Sequence, residues 1–267
     1  MVPTGLGRVG RVTRPSLDEL RSVCQPRDTM ERRNGEHWLS LLYARRVSLR
    51  ITRLLATTSV SASTVTLIMI AIGLGSSVTL IWPSWLAPVV SALLIQLYLI
   101  LDCTDGELAR WHKTTSARGV YLDRLGHYLV EASLLSLWGF RIGGLASAWT
   151  TLGFYTALIA ILTKAETDLV AVSVGVSSAD RTSETIATPR NQWVKLARSI
   201  SHPLRIHRIT GAVEASLLMA IVAVIGHLID YDLEKVLLTV FAAVATLLFL
   251  GHGLAIWNSR RLDRIDD

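Results

Sequence analysis

An uncharged stretch at residues 54–101 constrains this chain more than any other feature of its sequence. A second uncharged stretch covers residues 236–259. Charged residues make up 18% of the chain, against about 25% in soluble domains. A soluble domain cannot bury so much uncharged apolar sequence, which excludes a cytosolic globule, a fibrous repeat and a disordered chain. The sequence therefore predicts an integral membrane protein.

The apolar stretches are long enough for six membrane-spanning helices. About 20 residues cross the hydrocarbon core, so residues 54–101 hold two spans. The segment from Trp82 to Trp85 divides them, because Pro83 ends a helix and tryptophan favours the membrane interface. We predict an all-α polytopic fold with six transmembrane helices near residues 61–82, 85–103, 119–140, 142–163, 211–229 and 236–257.

The basic residues cluster on one side of these predicted spans. The net charge is +6, and residues 1–59 alone hold eleven arginines. The loops on the other side hold only Arg141 and Lys235 as basic residues. The positive-inside rule therefore places both termini, and the loop between spans 2 and 3, on the cytoplasmic side of the cell membrane. Because topology accounts for the basic charge, we expect no nucleic-acid partner.

The residues before and after the spans differ in character. Residues 38–59 alternate leucines with four arginines, which predicts an amphipathic helix on the cytoplasmic membrane surface. A helix packed against the rest of the protein is the alternative interpretation. We expect residues 1–37 to form a flexible cytoplasmic segment, residues 60–257 a six-helix membrane domain, and residues 258–267 a cytoplasmic tail.

Carboxylates cluster where the charge-free stretch ends. Asp102 and Asp105 are three residues apart, Asp123 and His127 are four apart, and each pair shares a helical face. Glu131 continues the second face by one turn. Ionisable groups at membrane depth are costly and indicate function, and clustered carboxylates repel one another unless a cation neutralises them. Oxygen ligands suit Mg²⁺, Mn²⁺ or Ca²⁺, so the spacing predicts a divalent-metal site.

Small residues accompany the carboxylates. Gly106 and Ala109 leave the backbone bare on the acidic face, where a nucleotide or phosphate could approach closely. Arg110 can pair with a phosphate. The alternative interpretation is a set of helix caps and ion pairs within the membrane, such as Asp123 with Arg124 or with Arg110.

Residues 102–127 resemble the signature of the CDP-alcohol phosphotransferases (CDP-alcohol phosphatidyltransferases), Asp-x2-Asp-Gly-x2-Ala-Arg-x8-Gly-x3-Asp-x3-Asp. The matching residues are Asp102, Asp105, Gly106, Ala109, Arg110, Gly119 and Asp123. The wider resemblance covers about residues 38–257. Members often carry Pro-Asn followed by Thr at the start of span 1, where this chain has Ala62 and Ser63 and matches only at Thr66.

The resemblance implies a reaction of phospholipid biosynthesis. An alcohol or alcohol phosphate would displace CMP from a CDP-linked lipid donor, usually CDP-diacylglycerol. Asp102, Asp105 and Asp123 would hold two divalent ions, Mg²⁺ or Mn²⁺, at the donor pyrophosphate. The resemblance also implies a homodimer and a nucleotide site lined by Gly106, Ala109, Arg110 and Gly119.

His127 departs from the family signature. The signature has a fourth aspartate at this position, which serves as a metal ligand and as the presumed general base. Asp123 and His127 are therefore the candidate catalytic residues. An imidazole can accept a proton near neutral pH, and it suits Mn²⁺ better than Mg²⁺. Three outcomes stay open: the base is preserved, the metal preference shifts, or activity is lost.

The remaining polar residues do not identify the acceptor alcohol. Glu214 in span 5 is expected to pack inside the bundle or to line an acceptor pocket. Lys164, Arg205 and Arg208 would suit a phosphorylated acceptor, although topology alone also favours basic residues there. Two other functions also fit the sequence: that of a family member that binds CDP-lipid or metal without turnover, and that of a small cation transporter.

Overall fold

The computed structural model describes residues 14–26, 40–173 and 211–258, which form eight α-helices and no strand. A π-helical turn, Ser40–Ala44, leads into the second helix. In chain order the helices are α1 (Leu17–Cys24), α2 (Arg45–Leu55), α3 (Ala62–Thr79), α4 (Leu86–Trp111), α5 (Ala117–Gly143), α6 (Ala148–Ser173), α7 (Ala212–Ile229) and α8 (Leu233–Trp257). The predicted all-α fold is confirmed.

Four helices in the described part of the chain, α3, α4, α7 and α8, are long and apolar enough to cross a membrane. The chain is an integral membrane protein. Helices α5 and α6 occupy the predicted spans 3 and 4 but are not among these four helices, and charged side chains such as Asp123 and Glu131 interrupt the apolar sequence of α5. The count of six spans therefore stays a prediction.

Three helix ends differ from the predicted boundaries by more than three residues: the end of α4 and both ends of α6, which reaches Ser173 instead of residue 163. Helix α4 continues to Trp111, eight residues past the predicted end of span 2, so the motif from Asp102 to Arg110 lies on a single helix. Helix α6 begins at residue 148 instead of 142. Gly144, with φ of 70°, ends α5, and the Ser147 hydroxyl accepts the first free N–H of α6 from Thr150.

Helix α1 lies inside the segment 1–37 that the sequence predicted to be flexible. Ser16 caps the helix by accepting a hydrogen bond from the Glu19 N–H, and Leu20 and Cys24 are fully buried. Leu20 and Cys24 are four residues apart and share one face of the helix. Burying this apolar face against the protein stabilises a helix that would be too short to form alone. Residues 1–13 and 27–39, with 174–210 and 259–267, lie outside the described residues.

Helix α2 packs on the motif end of α4, as the alternative interpretation of residues 38–59 expected. Ser48, Leu49 and Thr52 are buried in this contact. Leu42 and Leu54, on either side, are more than half exposed and leave an apolar surface outside the protein. The helix thus contacts the protein on one face, while a membrane-surface role for its exposed leucine stays a prediction.

Close helix packing holds the centre of the bundle together. Trp138 on α5 is fully buried against Phe241 on α8, with ring centroids 5.5 Å apart. A side chain on Gly126 of α5 would place its Cβ 2.6 Å from Ile70 Cγ1 of α3, so only glycine permits this approach. Since Gly126 precedes His127, the contact fixes the depth of the imidazole in the bundle.

Candidate active site

Asp102, Asp123 and His127 meet between α4 and α5. The Nε2 atom of His127 lies 3.1 Å from Asp102 Oδ1 and 3.5 Å from Asp123 Oδ1. One potential ligand atom from each residue lies within 4.8 Å of the other two. The three side chains are 24–39% exposed, so the cluster is open to a ligand.

This donor set fits a divalent ion. Two carboxylate oxygens and one imidazole nitrogen converge on one point, and the carboxylates repel each other unless a positive charge lies between them. Mixed oxygen and nitrogen ligands favour Mn²⁺ or another transition ion over Mg²⁺. The three residues would therefore hold such an ion, with His127 supplying the nitrogen ligand.

Tyr98 orients the imidazole, and sequence reasoning missed it. Its hydroxyl lies 2.6 Å from His127 Nδ1, and the two rings meet edge to face with centroids 5.7 Å apart. Because Tyr98 occupies Nδ1, the other ring nitrogen, Nε2, faces the carboxylates. Tyr98 precedes Asp102 by four residues on α4, and that spacing was the available signal.

Asp105 lies apart from the three-residue cluster. It is 7% exposed, and its Oδ2 accepts a 2.6 Å hydrogen bond from the Thr66 hydroxyl of α3. Thr66 is the one residue that matched the weak signature at the start of span 1. The predicted metal role of Asp105 stays a prediction, and Thr66 holds its carboxylate in place.

The four residues predicted to line a nucleotide site lie along α4 and at the start of α5. The terminal nitrogens of Arg110 lie 3.3 and 3.5 Å from the position of a Cβ on Gly106, so the guanidinium covers the bare backbone of Gly106. Ala109 follows one turn behind Asp105 and is half-buried. The N–H of Gly119 donates to the Ser116 hydroxyl, which caps α5.

The ion pairs near the cluster differ from the expected ones. Arg124 pairs with Asp168 of α6, and Arg110 donates to the backbone carbonyl of Cys24. The alternative interpretation, an ion pair of Asp123 with Arg124 or Arg110, is therefore wrong for the described residues. The Asp123 carboxylate faces His127 instead and is left to the cluster.

Glu131 does not extend the cluster. Its carboxylate accepts from Lys164 of α6 and, at 3.4 Å, from the N–H of Ala212, the first residue of α7. Lys164, which the sequence predicted to suit a phosphorylated acceptor, pairs with Glu131. Arg205 and Arg208, which were named for the same role, lie outside the described residues.

The helical membrane fold and the spaced aspartates on α4 and α5 suit a metal-dependent membrane enzyme. Residues 58–257, which are 200 of the 267 residues, match the family model for CDP-alcohol phosphatidyltransferase. The chain belongs to this family, whose members are transferases of the CDP-alcohol type that depend on divalent metal ions.

A curated relative points in the same direction. The chain is 32% identical over 128 residues to a protein of Thermococcus kodakarensis (strain ATCC BAA-918 / JCM 12380 / KOD1) named "Bifunctional IPC transferase and DIPP synthase". The alignment covers 48% of this chain and 27% of that protein. The similarity therefore extends over about a quarter of the relative.

Proposed function

We propose that the protein transfers a phosphatidyl-type group from a CDP-linked lipid donor to an alcohol acceptor and releases CMP. The observation that carries the proposal is the convergence of Asp102, Asp123 and His127 inside the family signature. We assign the donor as a CDP-diacylglycerol-like lipid and the acceptor as an alcohol or alcohol phosphate.

We assign most of the site residues to binding of the metal ions and the donor. Asp102, Asp105, Asp123 and His127 would hold two divalent ions, which supply charge neutralisation at the pyrophosphate and polarise the phosphorus. The Arg110 guanidinium pairs with a donor phosphate oxygen. The backbone at Gly106 and Gly119 admits the nucleotide, with Ala109 beside it.

The transfer forms one phosphorus–oxygen bond and breaks another. The acceptor oxygen attacks the lipid-bearing phosphorus, and the bond from this phosphorus to CMP breaks. The hydroxyl proton passes to a base on the chain, for which Asp123 and His127 are the candidates. Positioning by the helices contributes most of the rate in phosphoryl transfer.

Nε2 of His127 has one lone pair, so it serves either as a ligand or as the proton acceptor at a given moment. The two roles differ experimentally. As a ligand, His127 favours Mn²⁺, and His127→Asp should shift the preference toward Mg²⁺ while activity is kept. If His127 is the base, the transfer rate should fall as the pH drops through the imidazole pKa. His127→Asp should then move this acidic fall of the pH–rate profile to lower pH.

The proposal is tested by CMP release from CDP-diacylglycerol by purified protein, with Mg²⁺ or Mn²⁺, across a panel of alcohols and alcohol phosphates. Asp123→Asn should lower turnover by at least about 100-fold. Asp232→Asn, at an exposed aspartate beyond α7, is the matched control and should leave turnover within about twofold. Unchanged turnover and metal dependence in Asp123→Asn would show that the assigned site is wrong.

A second candidate function follows from the replaced fourth aspartate. A member that binds CDP-lipid and metal without turnover would release no CMP with any acceptor. His127→Asp would then restore release. Acceptor-dependent release by the unmodified protein would exclude this candidate.

We also propose the membrane arrangement. Residues 60–257 form a six-span domain in the cell membrane, and the active site and both termini face the cytoplasm. A homodimer is part of the proposal through the family resemblance. Labelling of single cysteines placed at His112 and at Tyr231, on opposite ends of the bundle, would test the orientation in intact cells.

A further inference from the structure

Helix α1 lies before the family-matched residues 58–257 and yet packs against the motif helix. A separate apolar cluster, which we call the α1 cluster, joins α1, α2 and α4. Its members are Leu17, Leu20, Cys24, Leu49 and Trp111. Trp111 directly follows Arg110, so the cluster lies next to the arginine that the proposed function assigns to the donor.

A buried carboxylate between Gly106 and Ala109 reinforces this contact. Glu107 is fully buried. Its Oε1 accepts from Gln25 Nε2 at 2.7 Å and from Ser48 Oγ at 2.8 Å, and its Oε2 accepts from Thr52 Oγ1 at 2.8 Å. Because a buried carboxylate is costly without donors, the segment after α1 and helix α2 are both needed to keep Glu107 in place.

Helix α1 also contacts Arg110 directly. The Nε of Arg110 donates a 2.8 Å hydrogen bond to the carbonyl of Cys24, and the Cys24 thiol donates to the carbonyl of Glu107 at 3.3 Å. With Nε held by α1, the terminal nitrogens of Arg110 lie over the backbone of Gly106. A free arginine has many rotamers, so this contact selects one of them in advance of binding.

We propose that α1 is a positioning element of the active site that holds Arg110 ready for the donor pyrophosphate. The inference rests on the proposed function, since it takes Arg110 to bind a donor phosphate. It adds a segment outside the matched family region as a determinant of donor affinity. Helix α1 itself does not contact the reacting atoms.

The test compares two aspartate substitutions on the same helix. Leu20→Asp buries a charge in the α1 cluster and undocks α1, whereas Val23→Asp changes a side chain that is 43% exposed. We expect Leu20→Asp to raise the KM for CDP-diacylglycerol and the Kd for CDP with Mn²⁺ by about tenfold or more, since each lost charge-assisted contact weakens binding by about that factor. The acceptor KM should stay within about twofold, and Val23→Asp should match the unmodified protein.

A double substitution separates positioning from general stability. In an Arg110→Ala background, Leu20→Asp should cause no further loss of CDP affinity, because α1 acts through Arg110. An equal loss in both backgrounds would overturn the proposal. If Leu20→Asp does not fold, Gln25→Ala removes only the side-chain bonds to Glu107 and to the Arg45 carbonyl and should weaken CDP binding severalfold.

The outcomes also separate this inference from the proposed function. Equal CDP affinity in the unmodified protein, Leu20→Asp and Gln25→Ala would overturn the role of α1 and leave the transferase intact. No binding of CDP by the unmodified protein would overturn both.

Discussion

Replacing Glu107 with alanine is expected to lower the free energy of unfolding by about 3–5 kcal/mol, the range for breaking a buried ion pair from one side. The carboxylate is fully buried and receives hydrogen bonds from Gln25, Ser48 and Thr52. The guanidinium of Arg45 lies 3.5 Å from Oε1 as well. The carboxylate thus joins the residue after α1, helix α2 and the motif helix α4.

The magnitude follows from what each donor loses. Gln25 Nε2 and Ser48 Oγ also contact the Arg45 carbonyl, at 3.0 and 3.3 Å, and keep that acceptor. Thr52 loses the acceptor of its hydroxyl, and Arg45 loses this carboxylate. An unsatisfied buried donor costs about 1–3 kcal/mol, and more when the group is charged. The losses at Thr52 and Arg45 together therefore give about 3–5 kcal/mol. Glu107→Gln keeps the shape and should cost about 1–3 kcal/mol.

The assay is equilibrium unfolding of the purified protein in mixed micelles by a chemical denaturant. Glu19→Ala, at an exposed position of α1, is the matched control and should change the free energy by less than about 0.5 kcal/mol. A loss below about 1 kcal/mol for Glu107→Ala would refute the reasoning, since it would mean that water or other groups satisfy the same donors.

Three further predictions concern the site and its support. Tyr98→Phe removes the hydroxyl partner of His127 Nδ1 and should lower Mn²⁺ affinity or activity by about 10–100-fold, as outer-shell changes do. Gly106→Ala places a Cβ 3.3 Å from an Arg110 nitrogen and should raise the donor KM by displacing the guanidinium. Burial, followed by the charge of Glu107, raises the pKa of the Cys24 thiol from 9.0 to about 11. Docking of α1 should therefore be at full strength below pH 9 and weaken as pH rises toward 11, seen as a loss of the protection of Cys24 from alkylation relative to an unstructured thiol at the same pH.

The predictions for Tyr98 and Gly106 each have a control variant within the chain. Tyr155→Phe removes a hydroxyl bonded to Thr246 outside the site and should leave metal affinity unchanged. Gly75→Ala meets no atom within 4 Å and should leave the donor KM unchanged. Loss of function in either control would contradict a local role for Tyr98 or Gly106. Alkylation of Cys24 at pH 8 at the rate of an unstructured thiol would contradict the docked α1.

The sequence predicted the helical fold because hydropathy and charge are local properties of a segment. Helices α3, α7 and α8 begin and end within three residues of the predicted spans. The span count stays a prediction because charged residues such as Asp123 and Glu131 interrupt the apolar sequence of α5, and four helices among the described residues have the length and composition of a span. Helix α1 was not predicted, since eight residues carry too weak a periodic signal to predict a docked helix.

The sequence predicted those parts of the candidate site in which the residues share one face of the same helix. The pairs Asp102–Asp105 and Asp123–His127 followed from three- and four-residue intervals, and the structure brings Asp102, Asp123 and His127 together. The position of Asp105 against Thr66 did not follow from spacing, because it depends on how α3 packs on α4.

The sequence by itself determined the class of this protein: uncharged stretches require a membrane, and a spaced set of acidic and small residues defines the family signature. Only the tertiary structure decided which atoms meet. Glu107 joins donors from positions 25, 48 and 52, and Arg110 reaches the carbonyl of a residue 86 positions earlier. Such contacts depend on the packing of whole helices, whose relative positions are set by the sum of many weak burial terms that no local pattern records.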